Sequence, residues 1–126
     1  MMLKAVWVEI PVLNLERAMK FYQSVFELEV TPIDADNVRR TTTLVHADDE
    51  GGIGISLNQT ANFMPSDRGP LLYLYTGKDV VEYLERVEPA GGRIVQGKTP
   101  MSENNEGFYY ATILDTEGNM LAFSAF

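Results

Sequence analysis

VWVEIPVLNLERAMKFYQSVF, residues 6–26, reads in turn as a short strand, a polar cap and an amphipathic helix. Val6, Val8, Ile10 and Val12 bring β-branched strand preference, with one carboxylate, Glu9, among them. Pro11 restricts the strand to an edge or an end, because it has no N–H to give to a ladder. Asn14 can accept from the first free helical N–H groups. Behind it Leu15, Ala18, Met19, Tyr22, Val25 and Phe26 recur at the three-and-four spacing of one buried face, and Glu16, Arg17, Lys20 and Gln23 occupy the opposite face. A strand that turns directly into such a helix must lay the helix back over a sheet, since neither apolar face is otherwise covered. Any chemistry then belongs on the other side of the sheet.

After this unit, residues 27–32 read as a possible strand, and IDADNVRR, 33–40, as a loop or a strand edge. Residues 41–47 and 53–57 read as short strands joined by the turn DDEGG, which makes a hairpin. NQTANFMPSDRG, 58–69, has the polar, Pro- and Gly-containing make-up of a connector. The order then starts again. Residues 71–75 form a strand, Asp79 caps a helix, Glu82 completes a possible capping box, and Val80, Leu84, Val87 and Ala90 mark the buried side. Gly91 and Gly92 end that helix, residues 93–96 extend, 97–107 form a long polar loop, and 108–114 and 120–126 are strands.

The spacing supports a duplication. Asn14 and Asp79 lie 65 positions apart, Val30 and Val95 also 65, and Glu50 and Glu117 lie 67 apart. DDEGGIGIS at 48–56 then corresponds to DTEGNMLAF at 115–123. Two turns sharing acidic and glycine residues by chance is the plainer account, but pattern and spacing agree over helix, strand and turn together. The expected architecture is α+β: two tandem β-α-β-β-β modules forming a half-open barrel around a cleft, with the helices outside. The boundaries are about 1–58 for module one, 59–69 for the linker and 70–126 for module two, all within a single domain.

The 126 residues are enough for one domain that buries a core without staples. The absence of cysteine excludes disulfides, thiolate metal sites and cysteine nucleophiles, and suits a reducing cytoplasm. Ten basic and eighteen acidic residues give a net charge of −8, which argues against nucleic acid as a partner. No apolar run approaches the roughly 20 residues of a membrane span, and the first twenty residues lack the pattern of a signal peptide. The sequence therefore reads as soluble and cytoplasmic. Asn58-Gln59-Thr60 matches a glycosylation acceptor, a match without meaning in that setting.

The segment WVEIPVLNLERAMKFYQSVF, the repeated β-α-β-β-β order, the GG after the second helix and LDTEGNMLAF together resemble the glyoxalase, bleomycin-resistance and extradiol-dioxygenase superfamily, also called vicinal oxygen chelate. The resemblance spans essentially the whole chain. It implies the fold and a homodimer but does not choose an activity, because members include lyases, epimerases, dioxygenases, thiol transferases and drug-sequestering proteins. Family enzymes hold a divalent metal at four strand positions, and here those positions fall on Trp7, Ile55, Leu72 and Ala122. None can ligate through its side chain. A slip by one at 73–75 would offer tyrosines. The expectation is no metal site of the family type and no other cofactor.

Glu9 lies two residues after Trp7, so both point to the face that lines the cleft. Glu9 there can act as a base or hold a cationic ligand; paired with Arg39 or Arg68, or exposed at an edge, it is merely structural. Trp7 can stack on a flat ligand or serve as core. Tyr73 and Tyr75 in one strand and Tyr109 and Tyr110 in another form aromatic pairs that are expected to place tyrosine on the cleft face. Ser56 and Ser124 can bond a ligand, but neither has an acid and a histidine in sequence to suggest a nucleophile. His46 reads either as a proton shuttle or as a solvent-facing residue beside the acidic turn. Asp115, Glu117, Gly118 and Asn119 read as a structural turn. The loop 97–107 has the length of a lid.

Three functions are consistent with these residues. The first is a metal-free protein that sequesters or senses a small organic ligand against Trp7, Glu9, Ser56, Tyr73, Tyr75 and Ser124. The second is a lyase or isomerase with Glu9 as general base. The third is an accessory module whose aromatic surface or sheet edge joins a protein partner.

Overall fold

Asn14 takes up extended backbone and its side chain accepts from the N–H of Arg17, which starts α1 (Leu15–Phe26) where the cap was expected. The computed structural model describes residues 2–48, 51–103 and 107–126. Around α1 the chain runs β1 (Trp7–Pro11), α1, β2 (Asp34–Ala35), β3 (Arg39–Val45), β4 (Gly54–Thr60), β5 (Leu72–Tyr75), α2 (Val80–Val87), β6 (Arg93–Pro100), β7 (Tyr109–Leu114) and β8 (Met120–Ala125). The duplication appears as two four-stranded sheets of the same order, β1-β4-β3-β2 and β5-β8-β7-β6, each opening with a parallel pair. This is the α+β architecture of two β-α-β-β-β modules. Glu50, one end of the third repeat spacing, lies outside the described residues.

Several boundaries differ from the sequence reading. Residues 27–32 are not a strand: Glu27 ends α1 in the left-handed region at φ 55°, and Pro32 has no N–H for a ladder. Among the described residues of this stretch only Thr31 hydrogen-bonds to β3, its N–H donating to the Thr43 carbonyl and its own carbonyl accepting from the Thr42 hydroxyl. The strand comes later, at Asp34 and Ala35, which pair with Thr41 and Arg40. β4 runs on to Thr60, because Asn58, Gln59 and Thr60 pair with Thr41, Arg40 and Arg39. The first four residues of the supposed lid, 97–100, are also strand, with Thr99 and Pro100 paired to Tyr110 and Tyr109, and its residues 104–106 lie outside the described residues. Polar composition concealed that strand; pairing creates it.

One core joins the modules. Leu15, Ala18, Phe21, Tyr22 and Val25 of α1 are fully covered, together with Val80 and Val87 of α2 and Ile113 and Phe123 of the second sheet. Phe21 and Tyr83, which the one-face spacing left out, are buried because α1 and α2 pack on each other as well as each on its own sheet. Phe21 packs on Gly92: a Cβ there would stand 2.6 Å from its ring, so only glycine fits.

The turn after β7 fastens the two modules. Glu117, whose side chain has no exposed surface, accepts from the N–H groups of Leu13 and Asn14, from Arg17 Nε and Nη2 and from the Thr116 hydroxyl, all within 2.9 Å. Asp115 accepts from the Tyr22 hydroxyl at 2.6 Å and from Asn119, while the Asn119 amide donates to the Pro11 carbonyl at 2.7 Å. The expectation of a structural turn was right in kind but too local, since its donors sit about a hundred residues away. Burial alone raises the Glu117 carboxyl. The Arg17 guanidinium, the Thr116 hydroxyl and the two amides outweigh it and bring the pKa from 4.5 to about 2. Burial and the negative charge of Asp115 push the Tyr22 phenol well above its ordinary value.

A carboxyl with a depressed folded pKa stabilises the fold above its unfolded value and loses that effect as the pH falls towards the folded one. Glu117 contributes about 3 kcal/mol above pH 5, lost between about pH 5 and 2. Urea denaturation of Glu117→Gln is expected to show a loss of about 2–4 kcal/mol at pH 7 and a flatter stability profile than the parent between pH 5 and 3. Unchanged stability would mean that the buried pair is dispensable.

Candidate functional site

The first sheet turns one face to α1 and leaves the other bare. Register fixes what stands on the bare face: Trp7 beside Gly54, Glu9 beside Ser56, and Thr41 beside Asn58. Trp7 Nε1 donates to Ser56 Oγ at 3.1 Å, and Asn58 Nδ2 donates to the same oxygen at 3.0 Å. The Thr41 hydroxyl in turn donates to Asn58 Oδ1 at 2.7 Å. Both acceptor positions of the Ser56 hydroxyl are thus filled, and its own hydrogen is left without an acceptor among the described residues. Ser56 is 1% exposed, so this donor is held in place.

Above this floor lies a hollow of about 350 Å³ bordered by Trp7, Glu9, Asp34, Arg39, Thr41 and Ser56. Glu9 Oε1 accepts from Arg39 Nη1 at 2.8 Å, with both side chains half exposed. An ion pair in that setting is worth about 0–1 kcal/mol and opens readily. The amides of Val38 and Arg39 bind Asp36 and hold its carboxyl below its usual range. The indole of Trp7, 45% exposed, lies directly against Gly54, where a Cβ would stand 2.0 Å from the ring.

The residues expected at the site fall into two groups. Trp7, Glu9 and Ser56 converge, and Glu9 is also paired as its structural alternative required. Tyr73 and Tyr75 lie on β5 beside Ala122 and Ser124 of the other sheet. Tyr73 meets Tyr110 with ring centroids 6.4 Å apart, Ser124 is buried, and Tyr75 borders a separate apolar cavity of about 180 Å³ with Ile10 and Phe26. No described cavity joins the two groups. His46 is exposed just past β3. Thr41, Asn58 and Asp34 were missed. Alternation from Ser56 places Asn58 on the same face, a signal obscured by its place in a polar connector.

Two of the four supposed ligand positions need correction. Ile55 and Leu72 face the core, not the bare faces, because β4 and β5 are in register one residue away from the alignment by turns. The face residues there are Ser56 and Tyr73. With Trp7 and Ala122 they supply no imidazole and no carboxylate, and the nearby carboxylate Glu9 is held by Arg39. Among the described residues no three histidine or acidic side chains gather. This donor set does not fit the divalent centre of the family's metalloenzymes.

Two mirrored modules, helices covered by sheets, and bare sheet faces carrying the polar groups define a glyoxalase-type domain. The chain belongs to the Glyoxalase/Bleomycin resistance protein/Dioxygenase superfamily, whose family model matches residues 4–123. No curated protein sequence matches it significantly. Among solved structures it resembles a glyoxalase I mutant from Zea mays, at 21% identity and a TM-score of 0.73 over 94% of this chain, and it spans 45% of that longer chain. A hypothetical protein from S. aureus is 21% identical with a TM-score of 0.68 and 99% of each chain covered. FosX from Listeria monocytogenes, a fosfomycin resistance protein seen with manganese(II) and 1S,2S-dihydroxypropylphosphonic acid, is 16% identical with a TM-score of 0.68, covering 99% of this chain and 93% of its own. At such identities these neighbours establish the fold alone.

Gly54→Ala tests the seat of Trp7. The added methyl is expected to drive the indole off the sheet, break its bond to Ser56 and cost about 1–3 kcal/mol. Trp7 is the only tryptophan, so its emission should move to the red. An unshifted spectrum and melting temperature would show that the ring does not rest there.

Proposed function

We propose that the protein binds a small organic molecule on the bare face of its first sheet, in a site built without a protein-bound metal, and that it sequesters or senses that molecule. One observation carries the reading: a hollow of about 350 Å³ whose floor is a preset chain of hydrogen bonds from Thr41 through Asn58 to Ser56, ending under the half-exposed indole of Trp7. Trp7 offers a flat apolar surface for stacking. Ser56 offers a donor to a carbonyl, ether or hydroxyl oxygen, and the Glu9–Arg39 pair offers either charge once opened. Tyr73, Tyr75 and Ser124 would take part only if the second sheet contributed to the same bound state.

The enzymatic alternative, a lyase or isomerase with Glu9 as general base, requires Arg39 to leave Glu9 before a proton can be taken. The salt bridge in place favours binding over catalysis. Superfamily membership further supports a homodimer, for which sedimentation at micromolar concentration should give twice the chain mass; monomer at every concentration would overturn that reading.

Trp7 makes the test direct. Metabolites screened by tryptophan emission and melting temperature should include compounds that change both, and Ser56→Ala should weaken them about five- to tenfold. Glu9→Gln is expected to retain binding. If Glu9→Gln binds but abolishes a turnover seen in the parent, the alternative replaces this proposal. If no compound shifts either signal, the face is not a ligand site.

A further inference from the structure

β1 and β5 are the outermost strands of their sheets, and neither pairs with the other. Residues of both line a cavity of about 400 Å³, which Trp7 does not border and which shares only Glu9 with the hollow on the bare face. Val8 and Ile10 line it from the first module, Leu71 and Leu121 from the second, and Phe63 of the linker completes the lining. The linker there is built rather than loose: Thr60 bridges to Phe63, the Ser66 N–H donates to Asn119 Oδ1, and the Arg68 N–H donates to Ser66 Oγ.

Charge sets this cavity apart from the site above. Arg17, Arg39, Arg40 and Arg86 each have a carboxylate partner. Arg68 borders the cavity, and its guanidinium has no hydrogen-bond or ion-pair partner among the described residues. Glu9 also borders it, but its charge is already met by Arg39. A guanidinium with five donors at an apolar cleft complements one kind of small molecule: an apolar body ending in a carboxylate, which Arg68 can take in two parallel bonds. The unpaired outer edges of β1 and β5 add backbone groups along the walls.

We propose that the seam between the two modules is a second ligand site, for an amphiphilic carboxylic acid whose apolar body lies between β1 and β5 and whose carboxylate is held by Arg68. A site here fixes the spacing of the two sheets, so that occupancy stabilises the whole chain.

The probe is decanoate below its micellar concentration, measured by calorimetry and melting temperature on the full chain, with decanol and decyltrimethylammonium as neutral and cationic controls. Decanoate is expected to bind at one site per chain and raise the melting temperature, with decanol at least about tenfold weaker and the cation weaker still. Arg68→Gln, an exposed position whose loss leaves the fold intact, should weaken decanoate about tenfold or more and leave decanol unchanged. Arg68→Lys should fall between. Trp7→Phe should leave decanoate binding unchanged, which separates this site from the one on the bare face. Equal binding of all three probes, no effect of Arg68→Gln, or self-association that covers Phe63 and excludes decanoate would each overturn the proposal.

Discussion

The carboxylate of Glu117 holds the two halves of this protein in one arrangement. It is buried, so its charge is tolerable only because five donors meet it: two main-chain amides, two guanidinium nitrogens and one hydroxyl. Four of the five come from residues 13–17 of the other module. A helix N-terminus already attracts negative charge through its free N–H groups. Here that common attraction is met from across the molecule. Asn14 caps α1 locally, the Gln59 side chain accepts from the Leu15 N–H, and Glu117 takes the amides of Leu13 and Asn14.

With α1 so fixed, the rest follows by exclusion. α1 packs on β3 and β4, and α2 on β6, β7 and β8, so the apolar residues of each sheet turn towards the helices and the opposite faces stay open. Polar side chains collect there because alternation sends every second residue outward. The ladder from Thr41 to Trp7 is therefore a by-product of strand register as well as a binding surface. That register is unbroken from Arg39 to Thr43 of β3, and shifts only beyond the ladder, between Thr43 and Val45.

The sequence disclosed what rests on local periodicity. Both helices, their Asn14 and Asp79 caps and the repeated order of elements were legible, because amphipathic spacing and cap chemistry act within a few residues. Phe21 was not, since its burial comes from Gly92 in the other half. The second half of β6 was read as loop because Thr99 and Pro100 are strand only by virtue of pairing with β7. Ile55 and Leu72 were assigned to the wrong face because a turn-based alignment cannot sense a one-residue shift in register, and such a shift reverses every side chain. Of the candidate site, Trp7 and Glu9 were legible from alternation, whereas Ser56 was named as a possible ligand contact while the alignment by turns placed Ile55 on the cleft face. Arg39 was foreseen only as a possible neutralising partner, and Asn58 was hidden by its connector-like surroundings.

The interlock also sets an order of events in folding. α1 is synthesised early, but the carboxylate that completes its N-terminus lies 104 positions further along the chain. Until the turn between β7 and β8 has formed, the amides of Leu13 and Asn14 and the Tyr22 hydroxyl lack their acceptors. Closing so long a loop is slow compared with forming either helix. The two repeats are thus not equivalent: α2 is capped by Asp79 of its own module, whereas the first half no longer owns all the groups that its helix requires.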